Sequence, residues 1–166
     1  MPAVIKFPKL EKFTKNFKGL GTQEVRIGFL GEEKNKREEG NITNVELAAL
    51  HTFGSPSQKI PARNIFVGFQ DPQKVNEMKN ILSNTLKVEL QKNNLNKQAE
   101  NIGLKKAGLV GENIIEDAFQ TGGFGTWQPL SPRTIQIKKK NKEWTLVEEG
   151  ELKDSRVSKV VKISNN

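Results

Sequence analysis

From 71 to 120 the chain keeps a helical apolar rhythm that leaves few folds open to it. Val75, Met78, Ile81, Leu82, Leu86 and Leu90 recur at spacings of three and four, and after the asparagines around Leu95 the pattern resumes through Ala99, Ile102, Leu109, Ile114, Ile115, Ala118 and Phe119. Such spacing lays an apolar stripe along a helix, and the stripe must be buried against something. Asp71-Pro72 marks a start, because proline in the first turn lacks only an N–H that has no helical partner there. The first helix is expected to run to about Asn93. Gly103, Gly108 and Gly111 predict a second helix that is kinked or broken, since each glycine costs about 1 kcal/mol relative to alanine in a helix interior.

Shorter segments supply what this pair can pack against. Glu24 to Leu30 alternates apolar and polar residues at period two, as a half-buried strand does. Val157, Val160, Val161 and Ile163 give the C-terminus the β-branched content of a second strand. Thr43 with Glu46 three residues on forms a capping box, opening a helix through Val45, Ala48 and Ala49 that Gly54 ends. Ile60 to Phe69 is expected to be β-rich, with Pro61 confining it to an edge or a strand start. The charged stretch 31–41, residues 54–60 and the glycine-rich 120–126 read as loops. Before them, Leu10, Phe13 and Phe17 share one face of a possible helix over Pro8 to Phe17.

These elements predict an α+β fold, a small antiparallel sheet packed by one or two long helices, with extended loops. One domain spans 1–166, made of a basic N-terminal arm (1–20), the helical segment (71–120) and a C-terminal loop and strand region (121–166).

Side-chain chemistry narrows the function. The chain has no cysteine, which removes disulfides, thiol nucleophiles and cysteine-ligated metals. His51 is the single histidine; it sits on an apolar helix and no Gly-x-Ser-x-Gly elbow accompanies it. The glycines at 103–111 and 122–125 match neither the P-loop nor the dinucleotide fingerprint. Glu32, Glu33, Glu38 and Glu39 lie in the charged stretch, whereas Glu148, Glu149 and Glu151 flank a glycine turn and suit a contact edge. No enzyme activity, cofactor or metal is therefore expected. With 27 basic residues against 19 acidic ones, the net charge of +8 permits nucleic acid nearby. An alternative reading is a DNA-binding accessory protein using Lys138 to Lys142 and the Lys-rich N-terminus. No apolar run approaches the roughly 20 residues that span a bilayer, so no membrane partner is expected. Trp127 and Trp144, the two largest apolar side chains, are each more often core than interface, and their placement on either side of the lysine-rich connector tilts them toward an interface role.

Two motifs then stand in order. The first is Val45-x-Leu47-Ala48-x-x-His51-x-Phe53-Gly54 followed by Ile60-Pro61-Ala62-Arg63-x-Ile65-Phe66. The second is Trp127-x-Pro129-Leu130-Ser131-x-x-Thr134-x-x-x-Lys138 followed by Leu146-x-x-x-Gly150-x-Leu152-x-x-Ser155. Over about 25–163 the chain resembles the minor tail and neck proteins of tailed bacteriophages, the virion morphogenesis (tail completion) family among them. It departs from that pattern at Asn64, where proline is usual, at Glu149, where threonine is, and at His51, often asparagine.

The resemblance implies a structural virion protein, assembled in the host cytoplasm, that completes the tail and joins it to the head connector. Its partners would be copies of itself in a ring, commonly sixfold, neck or connector proteins, and tail terminator or tube proteins. Genomic DNA would pass through the lumen without sequence-specific recognition. Phe53, Pro61, Arg63 and Phe66 are the residues expected at one contact, and Trp127, Leu130, Gly150 and Leu152 at the other. Ile60 to Phe66 would offer an edge to a neighbour's strand. Arg63 is expected to clamp a neighbour's carboxylate bidentately, so that Arg63→Glu would leave a folded monomer unable to assemble.

Overall fold

Local signals set the elements of the structure, a computed structural model that describes residues 20–30, 42–92, 94–142, 144–147 and 150–163. The N-terminal arm to residue 19, the charged stretch 31–41, Glu148 and Glu149 lie outside the described residues. Strand β1 (Gln23–Gly28) comes first, then helix α1 (Asn44–Phe53), the long helices α2 (Pro72–Gln91) and α3 (Lys97–Thr121), two short helices α4 (Pro132–Ile137) and α5 (Glu151–Asp154), and strand β2 (Val157–Lys162). The fold is α+β: β1 and β2 pair antiparallel, Gln23 opposite Lys162 through Gly28 opposite Val157, and the sheet packs on α3. A two-stranded sheet is marginal alone in water, so this one depends on the helix beneath it.

The helix starts follow their caps. Asp71 accepts a hydrogen bond from the Gln73 N–H at 2.8 Å with Pro72 in the first turn. Asn96 accepts from Gln98 and Ala99 at 2.9 and 3.0 Å, which satisfies two N–H groups that would lack a helical partner.

Of the kinked or broken helix expected, the break does not occur: α3 runs as one helix from Lys97 to Thr121. Its glycines mark close approaches. A Cβ at Gly103 would stand 2.7 Å from Leu82 Cδ1 on α2, one at Gly108 would stand 2.6 Å from Ser158 Oγ and 3.0 Å from Val25 Cγ2, and one at Gly111 would stand 2.5 Å from Ile27 Cδ1. The helix therefore lies tightly between α2 and the sheet, and packing outweighs the local propensity penalty. No helix among the described residues is long and apolar enough to cross a membrane.

The stretch 60–69 is not a strand, a second correction. A single bridge, Ser55 to Ile60, closes a loop; the chain then runs extended and enters a 3-10 turn at Val67–Gln70. Its N–H groups find partners locally. Arg63 donates to the His51 carbonyl at 2.6 Å, Phe66 to Asn64 Oδ1 at 2.9 Å, and Val67 to the Asn64 carbonyl at 3.3 Å. Pro61 has no N–H to contribute, so little is left for a ladder.

The expected loop after α3 is a turn with its own hydrogen bonds, Gly123 N–H to the Ala118 carbonyl at 2.7 Å and Trp127 N–H to Gly122 at 3.0 Å. The core gathers around the C-terminal half of α3. Ile115, Ala118 and Phe119 meet Phe29, Ala48, Ile65, Trp127, Val147 and Leu152 there.

Candidate functional site

The site is built from the end of α1 outward. The capping box is formed as expected: Glu46 N–H donates to Thr43 Oγ1 at 3.2 Å and Thr43 N–H to Glu46 Oε2 at 2.8 Å. The hydrogen bond from the Thr43 backbone, then that from its hydroxyl, holds the Glu46 carboxyl below its usual range. At the other end Gly54 turns the chain at φ 73°, and a Cβ there would come within 2.7 Å of the Ala62 nitrogen. Only glycine tolerates both conditions. The 55–64 strap thus lies against the end of α1.

The strap is stitched to the second motif. Arg63 is buried, with 6% of its surface exposed. Its Nε donates to the Gln128 carbonyl at 3.0 Å and its Nη2 to the Pro129 carbonyl at 3.3 Å. Burial draws the guanidinium pKa down from its ordinary value. In return, Trp127 Nε1 donates to the Asn64 carbonyl at 3.0 Å, and the indole meets Phe119 edge-on, 5.8 Å between centroids. This corrects the role expected of Arg63. Two of its donors go to carbonyls of its own chain, so the guanidinium ties two parts of one subunit together.

The second motif closes on itself through Lys138. Its ammonium donates to the carbonyls of Asn141, Trp144 and Val147 at 2.8, 2.7 and 2.8 Å, a backbone-pinning role that the lysine-rich composition did not foretell. Ser131 caps α4 by accepting from Thr134 N–H at 3.1 Å.

Between the two motifs lies an open cleft of about 510 Å³. Leu47, His51, Ile60 and Pro61 line it from the first motif, and Leu130, Thr134, Leu146, Gly150 and Leu152 from the second. Pro61, Arg63, Leu130, Gly150 and Leu152, five of the residues singled out from sequence, therefore come together here. Trp127 sits buried, outside the cleft lining. Phe66 is half-buried instead, against Phe29 at 6.2 Å and Phe69 at 6.4 Å. Phe53 is 80% exposed. It lies two residues, roughly 200° of helix, from the cleft-lining His51, so it points from the other side of α1.

A cluster that sequence reading missed holds the segment bearing Gly150 and Leu152. Glu116 on α3 accepts from Arg156, from Lys153 at 3.4 Å and from Gln120 at 3.1 Å. Partial burial works to raise the Glu116 pKa, but Arg156 and then Lys153 outweigh it and hold the carboxyl below its usual value. A carboxylate with a depressed folded-state pKa stabilises the fold above its unfolded value, about 4.3, and loses that contribution as pH falls through the folded value. Glu116→Gln is accordingly expected to lower the melting temperature at pH 7 and to flatten its dependence on pH below 5. Parallel melting curves for the two proteins from pH 7 to pH 3 would show an enduring gap instead if the charge played no part. The signal in the sequence was slight, a Glu on the helix stripe and a basic pair 37 and 40 residues later.

Chemically the cleft offers apolar walls with a few hydroxyl, imidazole and carbonyl groups, a surface suited to receiving a side chain or an extended segment. Among the described residues no group of three or more His, Cys, Asp or Glu is placed to hold a metal ion. No family model, no curated protein and no solved structure matches this chain.

Proposed function

We propose that the protein is a structural component of a tailed-phage virion, which assembles into a ring, completes the tail and joins it to the head connector. One observation carries the reading. The two motifs on which the phage resemblance rests wall a single cleft, while a bare phenylalanine, Phe53, stands on the opposite side of the same helix. A ring built head to tail needs two different, complementary patches on each subunit. Phe53 of one copy entering the cleft of the next supplies both. Charge supports the pairing: Glu46 precedes Phe53 by seven residues and lies within about 20° of it around the helix. The exposed Lys59 in the cleft lining is the cation that Glu46 would meet.

Paired substitutions test this. Phe53→Asp removes the knob, and Leu130→Trp fills the cleft; each is expected to remain folded and to lose rings in sedimentation and negative-stain images. Mixed in equal amounts, the two variants retain one intact contact per pair and should give dimers but no rings. Closed rings from Phe53→Asp alone would overturn the arrangement. A wild-type protein that stays monomeric, yet binds duplex DNA with an affinity falling steeply with salt, would favour the DNA-binding reading.

A further inference from the structure

The two edges of the β1–β2 sheet have different surroundings. Around α3, Gly103 lies against Leu82 of α2, Gly111 against Ile27 of β1, and Gly108 against Ser158 of β2 as well as Val25 of β1. At 100° per residue, Gly111 and Gly108 stand about 80° and 140° round the helix from Gly103. β1 therefore lies between β2 and α2. The far side of β2 borders the part of α3 that carries Glu112, Lys105 and Leu109, at roughly 180°, 200° and 240°. Leu109 is 59% exposed, and Val157 at one end of β2 and Ile163 just past the other are exposed as well.

The ladder fixes which backbone groups that outer edge presents. One step beyond the Gln23–Lys162 pair, Ile163 N–H donates to the Thr22 carbonyl at 2.9 Å. Hydrogen-bonded pairs alternate along an antiparallel ladder, so Glu24 with Val161, Arg26 with Lys159 and Gly28 with Val157 bond across the sheet. The intervening residues of β2, Ser158, Val160 and Lys162, turn their N–H and C=O groups the other way. Among the described residues no strand meets them there. Such a row of unmade hydrogen bonds is a template for one more strand.

We propose that the outer edge of β2 receives an extended segment of another protein, one that alternates apolar and acidic residues. Its backbone completes the ladder at Ser158, Val160 and Lys162, and its apolar side chains cover Leu109. Charge selects the occupant. Exposed Lys159 and Lys162 on the strand and Lys105 on α3 outnumber the half-buried Glu112. Opposite charges across a strand pair stabilise a sheet, and like charges weaken it. A second copy of β2 would bring its own Lys159 and Lys162 to this edge, so the lysines admit an acidic strand and turn away the chain's own. The edge is separate from the cleft, whose lining includes no residue of β2.

The test uses the full chain and a short fluorescein-labelled peptide of alternating valine and glutamate, blocked at both ends, with binding followed by anisotropy. The peptide should bind about tenfold more tightly than its counterpart with lysine in place of glutamate, as several cross-strand charge pairs together supply. Methylating the peptide's backbone nitrogens should abolish binding, because it removes the ladder donors and keeps the side chains. In the protein, Val160→Pro deletes one outward N–H at a place where an edge strand tolerates proline. It should weaken binding about tenfold, the scale of one lost hydrogen bond. Should that variant fail to fold, the methylated peptide still decides. Undiminished binding of the methylated peptide would overturn the strand assignment, and equal binding of the lysine peptide would overturn the acidic one. Binding of neither charged peptide would overturn docking. Self-association of the wild type that disappears in a folded Val160→Pro would give the edge to a second copy, and the proposal would fail.

Discussion

Arg63→Glu is expected to unfold the protein, not merely to alter its surface. The new carboxylate would lie buried against the carbonyls of Gln128 and Pro129, both acceptors, where a cation now donates to each. A buried charge left without its partners costs about 3–5 kcal/mol. That is a large share of the 5–15 kcal/mol typical of a whole domain. Arg63→Lys keeps the charge but loses the fork that reaches two carbonyls at once, so a smaller loss of about 1–3 kcal/mol is expected. Urea denaturation of the three proteins would check the ranking. A glutamate variant with the wild-type midpoint would show that Arg63 is not buried in solution, and would return it to the role of an exposed clamp.

Trp127→Ala is expected to cost about 3–5 kcal/mol, the usual range for truncating a buried aromatic residue. The indole fills the space between Phe119 and a turn whose Gly123 has no room for a side chain, because a Cβ there would overlap the ring. Trp127→Phe separates packing from hydrogen bonding. It retains most of the buried ring but leaves the Asn64 carbonyl without its donor, so about 1–3 kcal/mol should be lost. Both variants should also loosen the 55–64 strap, read as faster amide exchange at Ile60 and Arg63, whose N–H groups bond to Ser55 and His51. Exchange unchanged at those amides would mean that the strap is held by α1 alone.

Both predictions rest on contacts that no local reading could supply. The capping box at Thr43 and Glu46, the start at Asp71-Pro72 and the two β-branched segments were legible, because each is satisfied within a few residues. Gly103, Gly108 and Gly111 were misread for the opposite reason. Taken locally they weaken a helix; in the fold they admit Leu82, Ser158, Val25 and Ile27 to the helix surface. Pro61 and Arg63 were rightly singled out, but as an exposed edge. Nothing adjacent to them announces that the partners of Arg63 lie 65 and 66 residues further on.

The two strands and the starts of the capped helices thus follow from the chain alone, since caps, turns and apolar periodicity act over three or four residues, whereas the extended stretch at 60–66 and the short helices α4 and α5 do not. Which side chains become walls, clamps or an exposed knob is a matter of three-dimensional arrangement. Phe53 and Leu152 are both apolar residues in helices, yet one stands in water and the other in the core. The difference arises from what α1 and α5 each meet when α3 and the 127–147 segment close over them, because burial depends on neighbours distant along the chain.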